Sequence, residues 1–177
     1  LTIDSLLSDQ AVMDKQSDGP TLLIAWHSRT GASEAMARAA AAGAGSAAAL
    51  VRADAVTAEM VLEASGYLFV CPENLATMSG LMKEMFDTLY YAALGRIEGR
   101  PYATIIAAGS DGEGAQRQLD RIATGWRLRR VADPIIVNFD AQTAETIWAS
   151  KNVPRAVLDQ CSELGAGLAE GMRQGIF

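Results

Sequence analysis

Short, continuous apolar runs recur along the chain and alternate with stretches in which apolar residues return at helical spacing. The first run, Thr21-Leu22-Leu23-Ile24-Ala25-Trp26, has no polar face, the mark of a strand buried on both sides in a parallel sheet. Similar runs at Ala48 to Val51, Tyr67 to Cys71, Ala103 to Ala108 and Ile135 to Phe139 predict four more strands. Between them, Ser33 to Ala42 is alanine-rich with Met36 and Ala40 on one side, and Gly43 and Gly45 stop it. The small residues from Ala39 to Ala49 let that helix sit close to a sheet. Thr57 caps a short helix that turns Val61 and Leu62 inward. Leu81, Met82, Met85, Phe86 and Leu89 share one helical face, as do Ala115, Leu119, Ile122, Ala123 and Trp126, and then Val157, Leu158, Cys161, Leu164 and Leu168. Strict alternation of five strands with about five helices implies an α/β domain, a mostly parallel sheet with helices on both faces. Ahead of it, Asp4 to Gln16 is weakly amphipathic and stops at Ser17-Asp18-Gly19-Pro20, so residues 1–20 read as an N-terminal helical extension and 21–177 as the domain.

The 177 residues suit one domain, and 50% apolar against 20% charged residues excludes a disordered chain. A formal net charge of -6 argues against nucleic acid and anionic membrane surfaces as partners. Two cysteines, Cys71 and Cys161, are too few for a four-thiolate metal site and fit a reduced, cytoplasmic setting. With a single histidine, His27, neither a histidine-rich metal site nor a hydrolase triad is favoured, and no metal is expected. No apolar run approaches the roughly 20 residues that cross a bilayer, and Leu1 to Pro20 lacks the layout of a signal peptide, so a soluble, unexported protein is expected.

A doubly wound sheet binds its ligand at the carboxyl ends of its strands, which directs attention to three loops. His27-Ser28-Arg29-Thr30-Gly31-Ala32-Ser33 joins a strand to a helix start, and its three hydroxyls, one glycine and free N–H groups have the composition to hold a phosphate. Arg29 adds compensating charge, and simple capping by Ser28, Thr30 and Ser33 is the competing explanation. The loop fits neither the Walker pattern nor the three-glycine dinucleotide fingerprint. Pro72 to Gly80, neutral and mixed in apolar and amide character, suits a flat ring with hydrogen-bonding edges, with Leu75 and Met78 available to a ring face. Ala108 to Gly114 holds three glycines that allow close backbone approach; Asp111 and Glu113 read as acids at a helix start. His27 and Cys71 read as structural neighbours of these loops, and Arg127, Arg129 and Arg130 as a solvated face.

The Ser28 to Ser33 loop, the run from Cys71 to Asp87 containing Met78-Ser79-Gly80-Leu81-Met82-Lys83, and the glycine-rich third loop together resemble the flavodoxin-like flavoproteins. The likeness is greatest to their NAD(P)H-dependent FMN reductase and NAD(P)H:quinone oxidoreductase branch, and it spans roughly Thr21 to Cys161. It implies a flavodoxin-like three-layer αβα sandwich with a five-stranded parallel sheet in the order 2-1-3-4-5. It implies that Ser28, Arg29, Thr30, Gly31, Ala32 and Ser33 bind the FMN phosphate. Pro72, Glu73, Asn74, Leu75, Ala76 and Thr77 would line the isoalloxazine, and Ser110, Asp111 and Gly112 would close its other side. The activity implied is transfer of electrons from NADH or NADPH through FMN to a quinone or another small acceptor, with the chemistry carried by the flavin. The alternative is a flavodoxin-type electron-transfer protein without its own NAD(P)H activity, which the lack of Trp, Tyr and Phe in the second and third loops disfavours. A third is a fold that has lost its cofactor and serves as an interaction surface. A homodimer or homotetramer is also implied, with Tyr90, Tyr91 and Trp148 as candidate contacts alongside core packing.

Overall fold

The computed structural model describes residues 19–177, and the helical extension expected over Asp4 to Gln16 lies outside them. The chain runs through β1 (Leu22–Trp26), α1 (Ala32–Ala44), β2 (Ala48–Arg52), α2 (Ala58–Glu63), β3 (Gly66–Asn74) and β4 (Thr77–Met78). It continues through α3 (Gly80–Ala93), β5 (Pro101–Ala108), α4 (Glu113–Gly125), β6 (Arg129–Arg130), β7 (Ile135–Asn138), α5 (Ala144–Trp148) and α6 (Arg155–Arg173). The sheet order is β2-β1-β3-β5, with the outer position beside β5 filled by β6 and then β7, all parallel. This is the expected order 2-1-3-4-5 with its last strand in two pieces. The edge chain takes five steps from Arg130 to Ile135 where β5 takes three from Tyr102 to Ile105. Pro134, which has no N–H to give a ladder, ends that two-residue excess.

Because successive strand residues point to opposite faces, the sheet serves two cores. Leu23, Ala25, Tyr67, Phe69 and Ile106 meet α2, α3 and α4 on one side, with Phe69 tilted against Phe86 at 4.8 Å between ring centroids. Leu22, Ile24, Leu68, Val70 and Ile105 meet α1 and α6 on the other. Small residues in α1 serve this second core twice. They allow close approach to the sheet, and they let α6 lie directly on α1. A Cβ on Gly43 would run into the Ser162 backbone, and one on Gly165 into the Ala40 backbone.

No helix among the described residues is long and apolar enough to cross a membrane. Cys71 and Cys161 are free and buried. Burial pushes the Cys71 thiol up to about 12 and the Cys161 thiol up to about 11, so both stay protonated and unreactive. Arg127 and Arg130 pair with Glu98 and Asp120 on the surface.

Candidate functional site

A cleft of about 530 Å³ opens at the carboxyl ends of β1, β3 and β5. Its first wall is the turn from β1 into α1, contributing Ser28, Arg29, Thr30, Ala32 and Ser33. Gly31 stands at the helix start with φ 90, a left-handed conformation open to glycine at little cost, and its N–H donates to Ser28 Oγ at 3.0 Å. No side chain caps α1, so the N–H groups of its first turn are without a helical partner. Ser33 Oγ is buried beside them and has no hydrogen-bond partner. Uncapped N–H groups, an orphaned hydroxyl and the guanidinium of Arg29 give this corner the donors and positive charge that could hold an anion.

The second wall is a hairpin where a plain loop was expected. β3 continues past the sheet to Asn74 and folds back as β4, pairing Glu73 with Met78 and Asn74 with Thr77. Leu75 and Ala76 form its two-residue turn at φ 52 and 61, positive values that the primed turns of tight hairpins demand and that side chains other than glycine resist. The absence of glycine there hides the hairpin from a sequence reading. Pro72, Glu73, Asn74, Leu75 and Ala76 border the cleft, and Asn74 Nδ2 is buried without a partner. Thr77 does not border it; its hydroxyl donates to the carbonyls of Asn74 and Met78.

Glu73 is turned to another use. Its carboxylate accepts the N–H of Gly112 at 2.7 Å and of Ala115 at 3.2 Å, capping α4. Gln118 accepts the N–H of Met78 at 2.9 Å, and Gly114 lies so close beneath Ala76 that a Cβ would strike its carbonyl oxygen. The hairpin is therefore docked on α4. From the third loop, Ala107, Ala108, Gly109 and Ser110 border the cleft, whereas Asp111 points to solvent and Gly112 is buried under Glu73.

His27 is buried below the first wall, where Nδ1 meets Ser79 Oγ at 2.8 Å. Burial, then the charges of Arg52 and Arg29, holds its pKa below the ordinary 6.5, so the imidazole is neutral at pH 7. It ties the end of β1 to the start of α3, as a structural neighbour.

A third contribution has no counterpart in the sequence reading. Phe139, Ala141, Ile147, Trp148 and Lys151, from the connection between β7 and α6, also border the cleft. Thr143 and Thr146 form a capping box that starts α5, and Lys151 Nζ donates to the carbonyls of Thr146, Ile147 and Ala149 at its end. The Lys151 N–H donates to Thr30 O at 2.9 Å, fastening this segment to the first wall. The Arg29 guanidinium lies over the Trp148 ring, 5.7 Å from its centroid. α5 buries none of its residues, so no periodic apolar pattern marked it. The Thr-x-x-Thr capping pair was its one legible signal.

The family model described as NADPH-dependent FMN reductase matches residues 53–142. No curated protein matches the chain in sequence. Among solved structures, a flavodoxin from the domain Archaea has a TM-score of 0.69 at 18% identity, covering 86% of this chain and 98% of its own. The flavodoxin, WrbA-like protein from Agrobacterium tumefaciens has 0.70 at 18%, covering 88% and 99%. The Flv1 flavodiiron core from Synechocystis sp. PCC6803 has 0.72 at 18%, covering 90% of this chain and 38% of that one. At these identities the structural likenesses establish the flavodoxin-like fold.

Proposed function

The chain belongs to the NADPH-dependent FMN reductase family, and from that membership we propose that the cleft is the FMN site of a flavoprotein oxidoreductase. Ser28, Arg29, Thr30, Gly31, Ala32 and Ser33 hold the phosphate; Pro72, Asn74 and Ala76 border the ring, with Gly109 and Ser110 on its other side. The observation that carries this reading is the Ser33 hydroxyl, buried without a partner beside uncapped N–H groups. An unsatisfied buried hydroxyl costs about 1–3 kcal/mol, and an anionic ligand oxygen would recover it. Asn74 Nδ2, likewise unpaired, supports a carbonyl-bearing ring edge at the far end.

Bound there, the flavin supplies two-electron chemistry from NADH or NADPH to a quinone or another small acceptor. The protein's own contributions are binding, orientation and exclusion of water. The first turn of α1 fixes the phosphate end, the docked hairpin walls the ring end, and α5 borders the cleft beside Arg29 and Thr30. Two buried free thiols support a cytoplasmic location. A homodimer or homotetramer belongs to the same reading, with Tyr91, 84% exposed, as the candidate contact; light scattering tests it.

Absorbance titration of the purified protein with FMN tests the site. Tight uptake by wild type and a loss of about tenfold or more in Thr30→Ala/Ser33→Ala are expected, whereas equal affinity in the two would reject it. NADPH oxidation with benzoquinone then separates a reductase from a flavodoxin-type carrier, which needs a separate reductase.

A further inference from the structure

α5 is hard to account for as a piece of the fold. It has five residues and buries none of them, so neither core gains from it. It is nevertheless closed at both ends: Thr143 and Thr146 box its start, and Lys151 Nζ donates to the carbonyls of Thr146, Ile147 and Ala149 at its finish. The ties that lead away from it run to one place, the turn between β1 and α1. The Lys151 N–H donates to Thr30 O at 2.9 Å, and Arg29 Cζ stands over the Trp148 ring, 5.7 Å from its centroid. Trp148 is 65% exposed, so burial does not explain why an indole sits there.

Arg29 also differs from the other charged side chains that border the cleft. The Glu73 carboxylate is taken by the N–H groups of Gly112 and Ala115, and the Lys151 ammonium by the α5 carbonyls. Among the described residues the Arg29 guanidinium meets no carboxylate or carbonyl, only the indole. Contact with an aromatic ring holds a guanidinium in place without consuming its N–H donors, which stay open to an oxyanion. A long side chain already laid on a ring also has less rotamer freedom to lose when a ligand arrives. We propose that Trp148 is a positioning residue for the cofactor phosphate; this rests on the FMN reading above. α5 carries the indole to Arg29, the Thr30 bond keeps the two segments in register, and through Arg29 the indole sets how strongly the cleft prefers a phosphorylated flavin to the same ring without its phosphate. The small helix thereby has a use that its packing does not supply.

Titration of the flavin-free full chain with FMN and, in parallel, with riboflavin tests this role, because riboflavin carries the same ring and lacks the phosphate. Wild type should favour FMN by about tenfold or more. Trp148→Ala should weaken FMN about threefold to fivefold, the reach of a solvent-exposed cation–π contact, and leave riboflavin within about twofold. Trp148→Phe keeps a ring under the guanidinium and should recover most of the loss. Arg29→Ala should weaken FMN about tenfold, and Trp148→Ala added to it should cost nothing more, because the indole acts through the guanidinium. Arg29→Lys, which keeps the charge but not the planar group, should fall between wild type and Arg29→Ala, and gives a second comparison should an alanine variant fold poorly. An unchanged preference for FMN over riboflavin in Trp148→Ala would overturn the proposal and leave the FMN site standing. Equal weakening of both flavins would overturn it by making the indole a wall for the ring, and a full further loss on the Arg29→Ala background would overturn it by giving the indole its own contact with the ligand. A wild-type chain that takes up no FMN would remove this inference and the reading beneath it together.

Discussion

The Glu73 carboxylate and the Gly112 N–H, 39 residues apart in sequence, are joined by a 2.7 Å hydrogen bond that fastens the hairpin after β3 to the start of α4. The same carboxylate takes the Ala115 N–H, so one side chain satisfies two helix-start donors that no local residue caps. Two walls of the cleft are thereby fixed to one another. Glu73→Ala leaves those donors without an acceptor and should lower stability by about 1–2 kcal/mol. Glu73→Gln retains one acceptor oxygen and should lose roughly half as much. Urea midpoints of the three proteins check the ranking, and an alanine variant as stable as wild type would deny the link.

Gly114 makes the second link. A Cβ there meets the Ala76 carbonyl oxygen, a backbone atom at the tip of a tight hairpin, which cannot turn aside as a side chain would. Gly114→Ala should push the hairpin off α4, costing about 1–3 kcal/mol and weakening FMN binding in the same variant. At Gly125, by contrast, a Cβ has open space and the position is helical, so Gly125→Ala serves as the control and should not destabilise. Thermal melts of both variants decide whether close approach or mere helix propensity governs position 114.

The parts of this fold that were legible from residue order are those whose burial is simple. β1 and β5 are buried on nearly every residue and appear as unbroken apolar runs; α3 and α4 appear through one-sided spacing of Met82, Phe86, Leu119 and Ala123. The turn at Ser28 to Ser33 was legible as a wall of the cleft because hydroxyls and a glycine cluster where a buried strand passes into a helix start. The hairpin was hidden because Leu75 and Ala76 occupy positions where glycine or asparagine is the signal. The Glu73 cap is a contact across the chain that no local pattern encodes, and α5 contributes to no core, so it leaves no periodicity.

Strain at that hairpin gives a prediction of opposite sign to most. Ala76 holds φ 61 without the freedom of glycine, and its side chain is exposed, so little packing is lost on removing the Cβ. Ala76→Gly should raise stability by about 0.5–1 kcal/mol, the relief of left-handed strain exceeding the entropy that glycine adds to the unfolded chain. A chemical-denaturation midpoint at or below that of wild type would show the turn to be relaxed.

His27 makes stability depend on pH. Burial, with the Arg52 and Arg29 charges behind it, places its folded pKa below 6.5. As pH falls through 6.5 the unfolded chain gains a proton that the folded chain refuses, so stability declines until the lower folded value is reached and then levels off. His27→Asn retains a partner for Ser79 and removes the titration. Wild type should therefore lose more stability than the variant between about pH 7.5 and 5, and parallel losses would place the titrating group elsewhere.

Ser33 separates stability from function most sharply. Its hydroxyl is buried without a partner, so in the cofactor-free protein it carries a desolvation cost and returns nothing. Ser33→Ala removes that cost, and alanine is the better helix former in the first turn of α1, so the cofactor-free variant should be more stable by about 0.5–1 kcal/mol. On the proposed reading, in which Ser33 donates to the FMN phosphate, the same change should weaken FMN binding about tenfold. Protein that gains stability while losing cofactor affinity has a residue kept for its ligand. Urea midpoints measured without FMN, set against dissociation constants from absorbance titration, test both halves, and a variant that is less stable with unchanged FMN affinity would make Ser33 an ordinary structural serine.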